Sequence, residues 1–435
     1  MDKIEQRIIE IIDQNREKLI NYARESYKNA EGGFEEFETA KRAAEFFKEL
    51  GLSVRENMAY TGVAAEVKGG EGPCIAIIGE LDGIMCPSHP FANKASGGYA
   101  HSCGHHAQMN ALLGAAVALC DSEVAAALDG TVKLYAVPAE EFVSVAKRKK
   151  LVGKVKRCSG KSEMLCNGDF DGVDMALTTH VHMAPSDSDL LLGNVASTGT
   201  LTKIVNIHGK AAHAAAAPHE GVNALSAASL GLSAIGYLRE TFREKDFVRI
   251  HTNITRGGDV LNVVPHEVVV DGMIRASNLA ALEQASEKFD AAFENCAKAI
   301  GASADVETWQ GYMPVRFQPA DDALRLAAKA INADGSLDVQ EASPLQQNAA
   351  STDVGDLSHI MPIVNFTHSG VKGALHSAEF DVIDEEKAII MPAKMFALTA
   401  YHLLKDKAAI AKAEIEAFEP VFTIESYKKY VETLK

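Results

Sequence analysis

No stretch of the 435-residue chain stays apolar for the roughly 20 residues that a membrane-spanning helix needs. The N-terminus, Met1-Asp2-Lys3-Ile4-Glu5-Gln6, also lacks the apolar core of a secretion signal. Cysteine is sparse: seven residues, at 74, 86, 103, 120, 158, 166 and 296, odd in number and scattered, make no disulfide framework. Together these absences lead to the expectation of a reducing, cytoplasmic setting. Positive charge is short as well. Forty-three Lys and Arg against 59 Asp and Glu leave a net charge of −16. That balance argues against nucleic acid or an anionic membrane as partner, because both call for a basic surface. The one basic run, Lys147-Arg148-Lys149-Lys150, reads best as a solvated face. Internal repeats and low-complexity tracts are absent too.

What is present is ordinary globular composition, 47% hydrophobic and 23% charged, in a chain too long for one core. Two domains are therefore expected. Ile4, Ile8, Ile11, Ile12 and Leu19 recur at helical spacing, and Gly51 stops a second helical pattern over 40–50. Runs at 61–67, 74–79, 131–137 and 175–181 have little polar alternation, as in strands buried on both faces. With a helix expected over 107–120 between them, they indicate an α/β domain with a mostly parallel sheet. From about Gly193 the pattern changes. Half-exposed strands at 200–208, 248–255 and 267–276 and helices at 222–240 and 279–300 suggest a small inserted α+β unit. The predicted division is a discontinuous α/β domain, 1–193 and 311–435, carrying an insert at 194–310.

Four segments hold chemistry. His101-Ser102-Cys103-Gly104-His105-His106-Ala107-Gln108 places thiolate and imidazole donors at the mouth of a helix, half of a transition-metal site. Pro138-Ala139-Glu140-Glu141 follows a buried strand, at the carboxyl edge where α/β sheets place their sites. His180-Val181-His182 ends another strand with two imidazoles on one face. His376 sits in the small-residue loop Gly373-Ala374-Leu375-His376-Ser377. Each alone is commonly structural. Together they supply sulfur, nitrogen and oxygen donors enough for two metal ions. A closed structural zinc site does not account for carboxylates recruited from distant segments.

The order CysGlyHis, ProAlaGluGlu, strand-end His and LeuHisSer resembles the dinuclear metallohydrolases related to aminoacylase, hippurate hydrolase and carboxypeptidase G. It is most similar to the branch of indole-acetyl-amino-acid and aminobenzoyl-glutamate hydrolases. Further matches are Gly79-Glu80-Leu81-Asp82-Gly83, Gly209 to Pro218, Leu261 to Pro265, Gly272 to Arg275 and Ser351 to Asp356. The resemblance implies an α/β catalytic domain of metallo-exopeptidase type with an inserted lid and dimerisation domain. It implies two divalent ions, zinc or else manganese or cobalt, held by Cys103, His105, Glu141, His180 and His376. His182, in His182-Met183-Ala184-Pro185, is an alternative to His180. Glu140 would be the general base of an activated water, and His213 an oxyanion donor reaching across a dimer interface. Asn262 and Arg275 would contact the substrate. The implied reaction is cleavage of an N-acyl or N-aroyl amino acid or short peptide conjugate. A dipeptidase or carboxypeptidase, or a non-catalytic binding relative, stands as the alternative. The chain departs from the family pattern at His106, where Asp is common, and at Gln108, where a second His often stands.

Overall fold

A computed structural model describes residues 1–182 and 188–434; Met183–Asp187, on which part of the His182-Met183-Ala184-Pro185 reading falls, and Lys435 lie outside the described residues. The chain forms two compact units. The larger comprises 1–195, 316–347 and 356–425, the smaller 196–315, 348–355 and 426–435. Three short segments expected in the larger domain, 311–315, 348–355 and 426–434, thus group with the smaller.

The larger unit is built on an eight-stranded sheet in the order Val54–Met58, Gly62–Lys68, Thr131–Val137, Cys74–Glu80, Met175–Val181, Ile363–His368, Leu190–Leu192, Val339–Glu341. Four of its seven neighbouring pairs are parallel: the inner strands run together and antiparallel pairs lie toward both edges. Cys74–Glu80 is flanked by the next two long strands of the chain, one on each side. This is a topological switch point, and open α/β sheets place their sites at the carboxyl end of such a point.

Helix His105–Leu119 returns from that edge, and all fifteen of its residues are buried. A helix buried all round suits such a position, between the sheet and the helices Arg16–Lys28 and Met391–Leu404. Helices Ala409–Ala417 and Ile424–Glu432 follow, which the sequence pattern did not announce.

The smaller unit is a four-stranded antiparallel sheet in the order Arg249–Arg256, Glu267–Ala276, Gly199–His208, Ser303–Gln310, with helices Ala224–Tyr237 and Leu279–Ala299. Glu267–Ala276 alternates half-buried and buried at every residue, so one face carries the core with Phe289 and Phe293 of the long helix. Its fourth strand, Ser303–Gln310, is an addition to the expected order.

Candidate active site

Three loops meet at the carboxyl edge of the larger sheet, and buried Asp82 organises two of them. Its carboxylate accepts the backbone N–H groups of Glu140 (3.1 Å) and Glu141 (2.9 Å), which turns the adjacent glutamates in different directions. Ala139 takes a left-handed φ of 48° just before them, and its N–H donates to buried Glu36 at 2.8 Å. The Asp82 carbonyl also accepts from His105 Nδ1 at 2.9 Å. That bond places a proton on Nδ1, so a bound cation would meet Nε2, the arrangement common to metal-ligating histidines.

Gly104 starts the long helix with φ 88°, and a Cβ there would lie 2.7 Å from Val181 Cγ2. The close approach brings Cys103 against the end of the Met175–Val181 strand. Cys103 Sγ lies 3.5 Å from His180 Nε2 and 3.2 Å from His376 Nε2. His376 has φ 62°, and its N–H donates to the Ser102 carbonyl (2.9 Å), pinning its loop beside the thiol. Its Nε2 is 3.1 Å from Glu141 Oε1. His180 Nδ1 bonds the Val181 carbonyl (2.8 Å), again leaving Nε2 toward the sulfur.

Two donor groups result, Cys103 with His105 and His180, and Cys103 with Glu141 and His376. In each, the donor atoms lie within 4.8 Å of one another. A third group, Glu80 with His105 and Glu140, adjoins them: His105 Nε2 is 3.3 Å from Glu80 Oε2 and 3.8 Å from Glu140 Oε2. His105 Nε2 and Glu80 Oε2 are buried without a hydrogen bond. Orphaned lone pairs of this kind are costly unless a cation or solvent completes them. The donor set therefore fits divalent transition ions, with Cys103 common to both triads.

The electrostatics agree. Burial raises the Glu141 carboxyl, but the His376 hydrogen bond and the field of His105 outweigh it and bring the group down to about 2. Burial and the Glu141 charge push the Cys103 thiol well up, a cost that a bound cation reverses by taking the thiolate as ligand.

His182 is not in either triad. Its Nδ1 bonds Thr367 Oγ1 and its Nε2 the Ser188 carbonyl, both at 2.8 Å. His106 is likewise occupied in packing, stacked on Tyr27 at 4.4 Å, and burial lowers it to about 3. Lys147 and Lys154 of the basic stretch pair with Glu35 and the Tyr60 hydroxyl.

Sequence reasoning gave no role to Asp82, Glu80 or Lys161. Lys161 is fully buried, with Nζ 2.5 Å from Glu80 Oε1. Gly160 makes this possible: its N–H donates to the Ala139 carbonyl (3.0 Å), and a Cβ there would strike the Pro138 carbonyl. The acidic motif at 79–83 was the available signal for the two carboxylates; a single lysine in a polar helix gives none.

In the smaller unit, exposed His213 accepts the N–H groups of Ala215 and Ala216 on Nδ1, at 3.2 and 3.1 Å. An accepting Nδ1 leaves the proton on Nε2, as a donor. His213 bridges Val263, and the Ala214 N–H donates to the carbonyl of exposed Asn262. Half-buried Arg275 donates to Ser351 Oγ at 2.7 Å.

A mixed α/β sheet with a Cys/His/Glu cluster at its switch point defines the class of metal-dependent hydrolases, and comparison with known proteins finds relatives of that class. The peptidase dimerisation domain matches residues 195–300. The N-acetyl-L-cysteine deacetylase of Bacillus subtilis is 29% identical over 313 residues, covering 68% of this chain and 68% of that protein. One of the subunits of the p-aminobenzoyl-glutamate hydrolase of Escherichia coli is 30% identical over 293 residues, covering 65% of this chain and 56% of that one. Among solved structures, a dinuclear metal-binding peptidase of the M20 family from Bacillus subtilis superposes with a TM-score of 0.66 at 23% identity, over 90% of this chain and 99% of that one. The chain is a metal-dependent hydrolase similar to these amidohydrolases and peptidases. No helix among the described residues is long and apolar enough to cross a membrane.

Proposed function

We propose that the protein hydrolyses the amide bond of an N-acyl or N-aroyl amino acid, an aminobenzoyl-glutamate-like conjugate or one similar, with two divalent transition-metal ions. The observation that carries this reading is the pair of donor triads sharing Cys103, with Glu140 beside them. Cys103, His105 and His180 would hold one ion, and Cys103, Glu141 and His376 the other. The mixed S, N and O set suits zinc and also accepts manganese or cobalt. When bound, such ions supply Lewis acidity and a water of lowered pKa.

Glu140, whose backbone is fixed by Asp82, would take the proton of the attacking water and return it to the departing nitrogen. His213, with Nε2 protonated, is suited to steady the oxyanion, and Asn262 and Arg275 to meet the substrate's carboxylate or nearby polar groups. The dimerisation domain supports a homodimer formed through the smaller unit, and seven free cysteines fit a cytoplasmic enzyme.

The test is a panel of N-acyl amino acids, aroyl-glutamates and dipeptides, presented to metal-loaded protein with chelated protein as control. Turnover of the acyl conjugates, lost on chelation, is expected. Turnover of dipeptides alone would make the enzyme a dipeptidase, and turnover by neither would leave a binding relative.

A further inference from the structure

We infer that Gln108 is a positioning residue that sets the spacing between the two halves of the metal centre, a role that rests on the dinuclear reading above. The strands Cys74–Glu80 and Met175–Val181 pair in parallel only at Ile75–Met175, Ala76–Ala176 and Ile77–Leu177. On its other side Cys74–Glu80 pairs along its whole length, from Cys74–Thr131 to Glu80–Val137. The strands thus part three residues before Glu80 and His180. Continued in register, the ladder would carry the Glu80 N–H to the Thr179 carbonyl.

The Gln108 side chain stands in that missing rung. Its Oε1 accepts the Glu80 N–H at 2.9 Å, and its Nε2 donates to the Thr179 carbonyl at 2.6 Å and to Thr178 Oγ1 at 3.3 Å. One planar amide therefore holds apart, at a fixed distance, the strand end leading to Glu80 and Asp82 and the one bearing His180. Gln108 is buried on the first turn of the helix that carries His105, so the same side chain ties that ligand's helix to both strands. The position needs a donor and an acceptor at opposite ends of one short side chain. An amide meets that need at any pH; a neutral imidazole meets it too, with one nitrogen accepting and the other donating.

The experiment is zinc titration of the chelator-stripped full-length chain by calorimetry, with a competing chelator, for the parent and for Gln108→Asn, Gln108→Met and Gln108→His. Melting of the metal-free proteins is read in parallel. Asn cannot span the gap, and Met fills it without polar atoms. Both variants are expected to fold and to bind at least one of two zinc ions about 10–100-fold more weakly, the usual effect of losing a partner behind the ligands. Gln108→His should stay near the parent. Parent affinity for two zinc ions in Gln108→Asn or Gln108→Met would overturn the proposal, as would a Gln108→His as weak as Gln108→Met. Failure of both Asn and Met variants to fold, with a folded His variant, would assign the amide to folding and overturn it too. A parent that binds fewer than two zinc ions sinks the dinuclear reading and this role with it. A parent that binds two, with Gln108→Asn doing the same, sinks only the role of Gln108.

Discussion

The two units present their polar chemistry in opposite ways. At the sheet edge of the larger unit, Cys103, His105, Glu80, Asp82 and Glu140 are all buried, and His105 Nε2 and Glu80 Oε2 are left without a hydrogen bond. In the smaller unit His213 and Asn262 are exposed and Arg275 is half-buried against Ser351. The larger unit holds donors preorganised where solvent is excluded, as a cation site demands. The smaller offers donors from a surface. In the proposed function, the difference separates the groups that would hold ions and move protons from those that would meet the substrate.

The largest effect expected from breaking this division lies at Glu140. Glu140→Gln should cut the catalytic rate by about 10²–10⁴-fold with metal content intact, the range for a lost general base. Glu141→Gln should instead lower metal occupancy, so elemental analysis of the two variants separates base from ligand. Next is His213→Ala in the exposed unit. Fold and metals should be retained and the rate should fall by roughly 10²–10³-fold, as for a missing oxyanion donor. A rate near the parent's on a confirmed substrate would make His213 structural.

Lys161→Met probes the buried side directly. It strands the Glu80 carboxylate beside His105 in a site without water access, and loss of one partner from such a pair costs about 3–5 kcal/mol. Denaturant unfolding of the metal-free protein measures it; a cost below about 1 kcal/mol, the range of exposed pairs, would show the pair to be solvated.

The smallest effect concerns Asp321, which caps helix Asp322–Ile331 through the Leu324 N–H (2.7 Å) while its other oxygen is buried without a partner. Burial raises it from 3.8 to about 6. The folded state then binds the proton more tightly, so stability falls as pH rises from about 4 through 6, by up to about 3 kcal/mol. Asp321→Asn keeps the cap and removes the charge. Its melting temperature should match the parent's near pH 4 and exceed it at pH 7.5; the reverse order would refute the assignment.

Legibility followed the same division. The strands at 131–137, 175–181 and 267–276 coincide with the sequence reading residue for residue, because continuous or alternating burial leaves a clear period. Val54–Met58, Leu190–Leu192 and Val339–Glu341 escaped it: three to five residues toward a sheet edge are too few to show a period. Metal-type donors were visible as motifs. Their supports were not, since Asp82, Lys161 and Gln108 act through backbone groups and distant side chains that no local spacing encodes. The choice between His180 and His182 shows the limit. Both imidazoles share a strand-end pattern; what separates them is the Cys103 sulfur beside His180 and Thr367 with the Ser188 carbonyl around His182.

The most direct test of the account counts ions. Protein stripped with chelator, reloaded with zinc and desalted should carry two ions per chain and hydrolyse an N-acyl amino acid. Cys103→Ala, which removes the donor common to both triads, should lower occupancy at both positions, whereas His376→Ala should lower it at one. Full turnover by persistently metal-free protein, or two ions bound at parent affinity in Cys103→Ala, would contradict the account.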